Sequence, residues 1–285
     1  MRASLLISLY ALINSCKKGV GLPKNLKWKD STSKRSDAKL VESLGIGWYY
    51  NWGPKAHFES LKVNFVPMVW GSNTPITSLN GSMYILGFNE PDHLCQAKMT
   101  VDTVLVPYNS QSQSIKDSQL KMNTAAVKKC GKSAIVTFKN PNVSLWDSIY
   151  SLSNNVGAPG TAGDSTKGWF KEFSNKTDKY HFIQVHWYGG KNPGDFIRYI
   201  KKVYNMYKKP IWVTEFAPQT RQQSIDSPWK YTRIEINNFI KETVNWMESK
   251  SYIHRYAWHH SYVGRCALFN TDGTLTKTGR YYRDV

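Results

Sequence analysis

Two glutamates each close a run of apolar residues. Glu90 ends the stretch Tyr84-Ile-Leu-Gly-Phe-Asn-Glu-Pro-Asp92, and Glu215 ends Pro210-Ile-Trp-Val-Thr-Glu-Phe-Ala217. An apolar strand that stops on a carboxylate delivers that group to the rim of a core, where water and a substrate can reach it. Two such carboxylates meet the needs of glycosidic-bond cleavage. One carboxyl must be protonated to assist the leaving oxygen, and the other must be ionised to attack carbon or activate water. Each glutamate also has a plainer role, Glu90 as the start of a helix before Pro91 and Glu215 as a salt-bridge partner. Asp92 reads as an architectural hydrogen-bonding group rather than a third acid.

The elements that must position this pair alternate along the chain. Strand patterns lie around Val20 and at Gly47–Trp52, Asn64–Trp70, Met83–Asn89, Asn155–Pro159, His181–His186, Ile211–Thr214 and His254–Trp258. Most are short apolar runs without strict alternation, as expected of parallel strands covered on both faces. Helical periodicity separates them at Ser36–Leu44, Phe196–Tyr207 and Ile234–Met247. Eight strands alternating with helices predict the α/β class and a single-domain (β/α)8 barrel, a fold of about 250 residues. A polar stretch of about 40 residues, 104–143, breaks the alternation, and its piece Ile135–Phe138 rivals Asn155–Pro159 for the fifth strand.

The active site of a parallel barrel lies at the carboxyl ends of its strands. That rule gathers Trp48, Tyr49, Tyr50, Asn51, Trp52, Trp70, Asn89, Glu90, His186, Trp187, Tyr188, Glu215, Trp258 and His259. Barrel interiors favour Val, Ile and Leu, so this aromatic and amide-rich set reads as platforms for sugar faces and partners for hydroxyls. From it, Trp48, Tyr49, Asn51, Trp70, Asn89, His186, Tyr188 and Trp258 are the candidate substrate-binding residues. His57, His93, His254 and His260 have no metal-ligand spacing, so they read as surface or supporting groups and no metal is expected.

Composition sets the remaining bounds. The 285 residues are 41% hydrophobic and 20% charged, which describes a globular chain, and the formal net charge is +18. The basic residues are spread from Lys17 to Arg283 with no nucleic-acid-binding signature. Solvated helix faces, or attraction to an anionic wall or membrane surface, fit better than nucleic-acid binding. Residues 1–15 read as a signal peptide: Arg2, a short apolar stretch from Leu5 to Ile13, then small and polar residues. Cys16 faintly resembles a lipid-anchor acceptor, although Asn14 fits that poorly. A secreted catalytic domain over 16–285 is expected, without membrane insertion and as a monomer. Cys95, Cys130 and Cys266 then allow one disulfide and one thiol, with the pairing open.

The motifs Trp48-Tyr-Tyr-Asn-Trp52, Val66-Pro-Met-Val-Trp-Gly71, Gly87-Phe-Asn-Glu-Pro-Asp92, Gln96-Ala-Lys-Met-Thr100, His186-Trp-Tyr188, Trp212-Val-Thr-Glu-Phe-Ala217 and Leu268-Phe-Asn-Thr-Asp-Gly-Thr-Leu275 resemble, in this order, glycoside hydrolase family 128. This is the group of Asl1-like catalytic domains among retaining (β/α)8 glycosidases. The resemblance runs from about Lys17 to Tyr282. It implies a cofactor-free endo-β-1,3-glucanase in which Glu90 is the acid/base and Glu215 the nucleophile. Asn89 would hold the sugar 2-hydroxyl, and His186 and Tyr188 would orient the carboxylates or contact the sugar. Esterification would remove the charge on Glu215, which suits the second role of Glu90 as a base.

Under the same alignment the 104–143 stretch is an insertion on the catalytic face. Cys95 and Cys130 would both sit there, so a disulfide between them is the pairing implied, with Cys266 the competing partner. The insertion could wall off one end of the groove or add subsites. Two other functions compete with the endo-glucanase. One is a glycan-binding barrel with little turnover, against which both glutamates argue. The other is the same mechanism acting on a different β-glycan.

Overall fold

A computed structural model describes residues 16–22, 39, 41–57, 63–76, 79, 82–131, 136–218, 230–259, 264–270 and 272–285. The signal-peptide reading of 1–15 lies outside the described residues, as do Ser36, Asp37, Ala38 and Leu40 of the helix expected over Ser36–Leu44, of which Lys39, Val41 and Glu42 are helical. Six strands form one parallel sheet: β1 (Lys18–Gly21), β2 (Trp48–Tyr50), β3 (Asn64–Phe65), β4 (Ile183–Trp187), β5 (Ile211–Phe216) and β6 (Ile253–Trp258). Their order is β3-β2-β1-β6-β5-β4.

Two extended segments span the interval between the outer strands β3 and β4. Parallel bridges join Met68 to Leu86, Ile85 to Val156, Asn89 to Gly160, Gly157 to Phe182 and Thr161 to Val185. Residues 85–89 and 156–161 therefore occupy the fourth and fifth of eight strand positions, and the α/β barrel read from the alternation is borne out. These positions hold bridges rather than ladders because Pro67 and Pro159 lack a donor and the chains pass unusually close. A Cβ on Gly87 would lie 2.5 Å from the carbonyl oxygen of Gly157. The rival segment takes no strand: Val136–Phe138 is irregular, and Ile135 is outside the described residues.

Seven α-helices are fully described: α1 (Val101–Leu105), α2 (Gln113–Cys130), α3 (Leu145–Tyr150), α4 (Gly168–Lys176), α5 (Pro193–Tyr207), α6 (Arg233–Glu248) and α7 (Lys277–Asp284). Their boundaries have local causes. Asn192 caps α5 with Pro193 at its first position, and Thr232 with Glu235 forms a capping box on α6. On α5 the buried positions Phe196, Ile200 and Val203 fall on one helical stripe. The stretch 104–143 is built around α2, which Ser112 caps and left-handed Gly131 ends. Among the described residues no helix is long and apolar enough to cross a membrane.

Strand parity divides the core in two. Trp48, Tyr50, Val66, Met68, Leu86, Phe182, Trp212 and Ala257 pack inside the barrel. Tyr49, Phe88, Val185, Val213, Phe216, Tyr256 and Trp258 belong to the shell shared with the helices. This two-sided burial explains why the strands show no alternation of polar and apolar residues.

Candidate active site

Glu215 reaches the mouth of the barrel through an irregularity in β5. Val213 pairs with Tyr256 and Phe216 with Trp258, so one extra residue stands between them on β5. The partner β4 registers the same slip, pairing Val185 with Val213 and His186 with Glu215. Thr214 is the extra residue. A bulge of this kind re-aims the side chain beside it, and here it turns Glu215 from the helix shell toward the cleft. Glu90 follows the bridge between Asn89 and Gly160 and has φ +46°. Left-handed backbone before a proline is strained for a residue with a Cβ, by about 1–3 kcal/mol. The N–H of Glu90 to the Gly160 carbonyl, at 2.6 Å, helps hold that conformation.

The two carboxylates and His186 converge. One ligand atom from each of Glu90, His186 and Glu215 lies within 4.8 Å of the others. His186 Nδ1 is 3.0 Å from Glu90 Oε1 and 3.6 Å from Glu215 Oε2. Its Nε2 is buried, and Gly160 packs so closely that a Cβ there would meet it at 2.9 Å. Glu215 is also held by donors. Trp52 Nε1 donates to Oε1 at 2.7 Å and Tyr50 Oη to the same oxygen at 3.1 Å, while Tyr188 Oη donates to Oε2. Three such groups could hold a divalent cation, but N–H and O–H donors already occupy both oxygens of Glu215. The set is built to stabilise an ionised carboxylate beside a proton-carrying partner.

The electrostatics follow from these contacts. Burial pushes the Glu215 carboxyl up, but the imidazoles of His186 and His259 and the bonds from Tyr188 and Trp52 outweigh it and hold the group down at about 2. Burial favours neutral His186, yet the charge of Glu215 and the hydrogen bond and charge of Glu90 raise its proton affinity above the usual value. His259, with Nε2 3.9 Å from Glu215, goes the other way because burial dominates. Of the two imidazoles, His186 is therefore the one whose protonated form its surroundings favour. Burial and the neighbouring carboxylates raise Tyr50 and Tyr188, so both remain neutral donors.

The candidate binding residues separate. Trp70 is half-buried, and its carbonyl accepts from the Asn89 N–H at 3.0 Å. Asn89 donates to Gln96 Oε1 at 3.3 Å, and its own Oδ1 is buried with no partner. His186 and Tyr188 join the carboxylates as described. Asn51 instead ties the chain after β2, donating to the Lys55 carbonyl and accepting from Gly53 N.

Three aromatic candidates lie away from the carboxylates. Trp48 is fully buried deep in the barrel, where its Nε1 donates to the Lys17 carbonyl. Tyr49 faces the helix shell against Phe65. Trp258 does the same, with Nε1 on the Cys266 carbonyl. The physical reason is the two-residue period of a strand: in the run 48–52 it sends Tyr50 and Trp52 to Glu215 and turns Tyr49 outward. Tyr50, Trp52 and His259 were gathered by the strand-end rule without being given a role. The signal that finds them is their spacing, i and i+2, at the end of one strand.

Cys95 and Cys130 form a disulfide with a Cα–Cα distance of 5.7 Å, and Cys266 is buried as a thiol. The bridge fastens the end of α2 to the loop that carries Gln96. Asp92 accepts from Ala162 N and Gly163 N at 2.9 and 2.8 Å, tying the loops after the fourth and fifth strand positions.

A family profile described as the glycosyl hydrolase catalytic core matches residues 25–282. The chain is 25% identical over 279 residues to alkali-sensitive linkage protein 1 of Schizosaccharomyces pombe, covering 91% of this chain but 44% of that protein. It thus spans less than half the length of that relative. A family 128 (subgroup I) endo-β-1,3-glucanase from Amycolatopsis mediterranei, solved with laminaritriose, shares the fold at TM-score 0.64 and 24% identity, over 94% of this chain and 99% of that one. A family 128 (subgroup VII) oligosaccharide-binding protein from Trichoderma gamsii does so at TM-score 0.61 and 20% identity, over 95% and 93%. The resemblance read from the ordered motifs is borne out.

Proposed function

The chain belongs to the glycosyl hydrolase catalytic core family, and from that premise we propose that it cleaves β-1,3-glucan with retention of configuration. The observation that carries this reading is that one ligand atom each from Glu90, Glu215 and His186 lies within 4.8 Å of the others. Retaining enzymes hold their carboxyl groups about 5–5.5 Å apart, whereas inverting pairs stand about 6.5–9.5 Å apart to admit a water. The closeness here favours direct attack on carbon.

In this mechanism Glu215, ionised and held by three donors, attacks the anomeric carbon. Glu90 protonates the departing glycosidic oxygen, and a glycosyl ester forms on Glu215. Water then attacks the same carbon, giving its proton to Glu90 and releasing Glu215 as a carboxylate. Asn89, with its free buried Oδ1, accepts from the sugar 2-hydroxyl. Trp70 offers a partly exposed ring for stacking. The β-1,3 linkage is supported by the A. mediterranei endo-β-1,3-glucanase that shares the fold. The signal-peptide reading of residues 1–15 and the Cys95–Cys130 disulfide support a secreted enzyme.

Hydrolysis of laminarin and defined β-1,3-gluco-oligosaccharides tests the reading, beside Glu90→Gln and Glu215→Gln. Turnover lost in both variants is the expected result, and early product with β configuration, followed by NMR, would establish retention. The T. gamsii oligosaccharide-binding relative motivates a second reading, recognition without turnover. Oligosaccharide binding with no hydrolysis by the unmutated protein would favour it.

A further inference from the structure

Arg255, on β6, is 6% exposed and lies among three aromatic rings. Its guanidinium carbon is 4.6 Å from the ring centre of Trp212, 4.9 Å from that of Tyr84 and 5.5 Å from that of Trp48. Ring faces stabilise a cation through its flat faces. They do nothing for the N–H groups at its edge, which require acceptors. Nη1 of Arg255 is buried and has none. Every other described arginine (Arg198, Arg233, Arg265, Arg280 and Arg283) donates to an oxygen of the chain. Among the described residues, the most deeply buried arginine is thus the one left without an acceptor.

A buried unpaired charge is costly, and an arginine cannot escape by shedding its proton. Burial lowers its proton affinity only to about 10, so the group stays cationic. Arg255 also lines a cavity of about 510 Å³, together with Lys55, Asn64, Phe65, Ser82 and Tyr84. Among the described residues no acidic side chain lines it, and Lys55 adds a second positive charge. The cavity borders the beginnings of the third and fourth strand positions, whereas the carboxylate pair stands at the strand ends.

We infer that this cavity is a binding site for a small oxyanion, a carboxylate or a phosphate, whose oxygens accept from the in-plane N–H groups of Arg255. The planar fork suits two oxygens of one anion, and the aromatic box fixes its orientation. The volume leaves room for an organic body behind the anionic group, against Phe65 and Tyr84. This site is independent of glycan cleavage.

The test is a binding titration of the full chain with inorganic phosphate and with acetate, each against chloride at constant ionic strength. Calorimetry and the shift in melting temperature are the readouts. One of the two anions is expected to bind saturably and raise the melting temperature, and whichever binds more tightly tells phosphate from carboxylate. Arg255→Met keeps the length of the side chain but removes the charge, and should weaken binding roughly ten- to a hundredfold. Lys55→Ala, at an exposed position, should weaken it roughly two- to threefold and serves if the first variant does not fold. Responses to both anions that match chloride would overturn the proposal. So would an Arg255→Met or Lys55→Ala variant that binds as tightly as the unmutated protein.

Discussion

Nδ1 of His186 lies 3.0 Å from Oε1 of Glu90, so a buried imidazole is within hydrogen-bond reach of the carboxyl proposed as the acid/base. The same nitrogen is 3.6 Å from Glu215, whose charge keeps the imidazole proton affinity above normal. His186 therefore links the proposed nucleophile to the proposed acid/base. In the proposed mechanism the charge of Glu215 vanishes when it becomes an ester, and His186 would then lose a principal reason to hold a proton.

This role predicts that His186→Gln lowers kcat on laminarin by about 10²-fold, the lower range for loss of an acid–base partner. Because proton affinity of His186 is raised above 6.5, the alkaline limb of the unmutated enzyme should sit above that pH and move in the variant. A purely structural imidazole would change kcat without moving the limb. Full pH profiles of both proteins separate the two.

The assignment of roles predicts different products with azide. Glu90→Ala leaves the nucleophile, so azide should intercept the glycosyl ester and give a product of retained β configuration. Glu215→Ala leaves no ester to intercept, and azide should attack directly with inversion. Exchanged outcomes, read from the anomeric configuration by NMR, would reverse the assignment.

The two glutamates are legible in the sequence because each ends an apolar run, a pattern that core packing alone does not produce. The eight strand positions are legible for a related reason, since continuous burial on both faces suppresses alternation everywhere. What the sequence conceals is which side each residue of a doubly buried strand faces. Trp48, Tyr49, Tyr50 and Trp52 are chemically alike, and only the structure sends two of them to Glu215. The bulge at Thr214 is hidden too, because an extra residue in a ladder leaves no mark on composition. Without it, parity would turn Glu215 into the helix shell.

Tyr50 and Trp52 both donate to Oε1 of Glu215, so their loss should not be additive. Tyr50→Phe and Trp52→Phe are each expected to lower kcat about 10-fold, on the scale of one hydrogen bond to a charged group. The double variant should fall by a different factor from the product of the two, because they share an acceptor. A double-mutant cycle on kcat/KM measures the coupling, and strict additivity would mean that the donors act separately.

Acid stability should report the state of Glu215. Its folded-state carboxyl titrates at about 2, below the usual value of 4.5. The unfolded chain thus binds the proton first as pH falls, and stability decreases from about 4.5 down through about 2. Above that window the contribution is fully present. Glu215→Gln removes this dependence, so its melting temperature should drop less between pH 5 and pH 2 than that of the unmutated protein, by about the share of one carboxylate. Parallel curves would show that Glu215 is not depressed in the folded state.

The disulfide offers a last test, because it joins a stability effect to a catalytic one. Cys95 and Cys130 are 35 residues apart, and closing a loop of that length restricts the unfolded chain by about 3–4 kcal/mol. Its native end is close to the site: Cys95 adjoins Gln96, which accepts from Asn89, which adjoins Glu90. The paired variant Cys95→Ser with Cys130→Ser should therefore lose about 3–4 kcal/mol in denaturant unfolding and also raise KM, since the loop holding Asn89 is released from α2. Glu215, held from β2 and β4 and not from this loop, should keep its donors. The expected signature is weakened binding of β-1,3-gluco-oligosaccharides with a smaller change in kcat. Equal losses in both parameters would place the effect on Glu90 itself, and an unchanged KM would confine the bridge to stability.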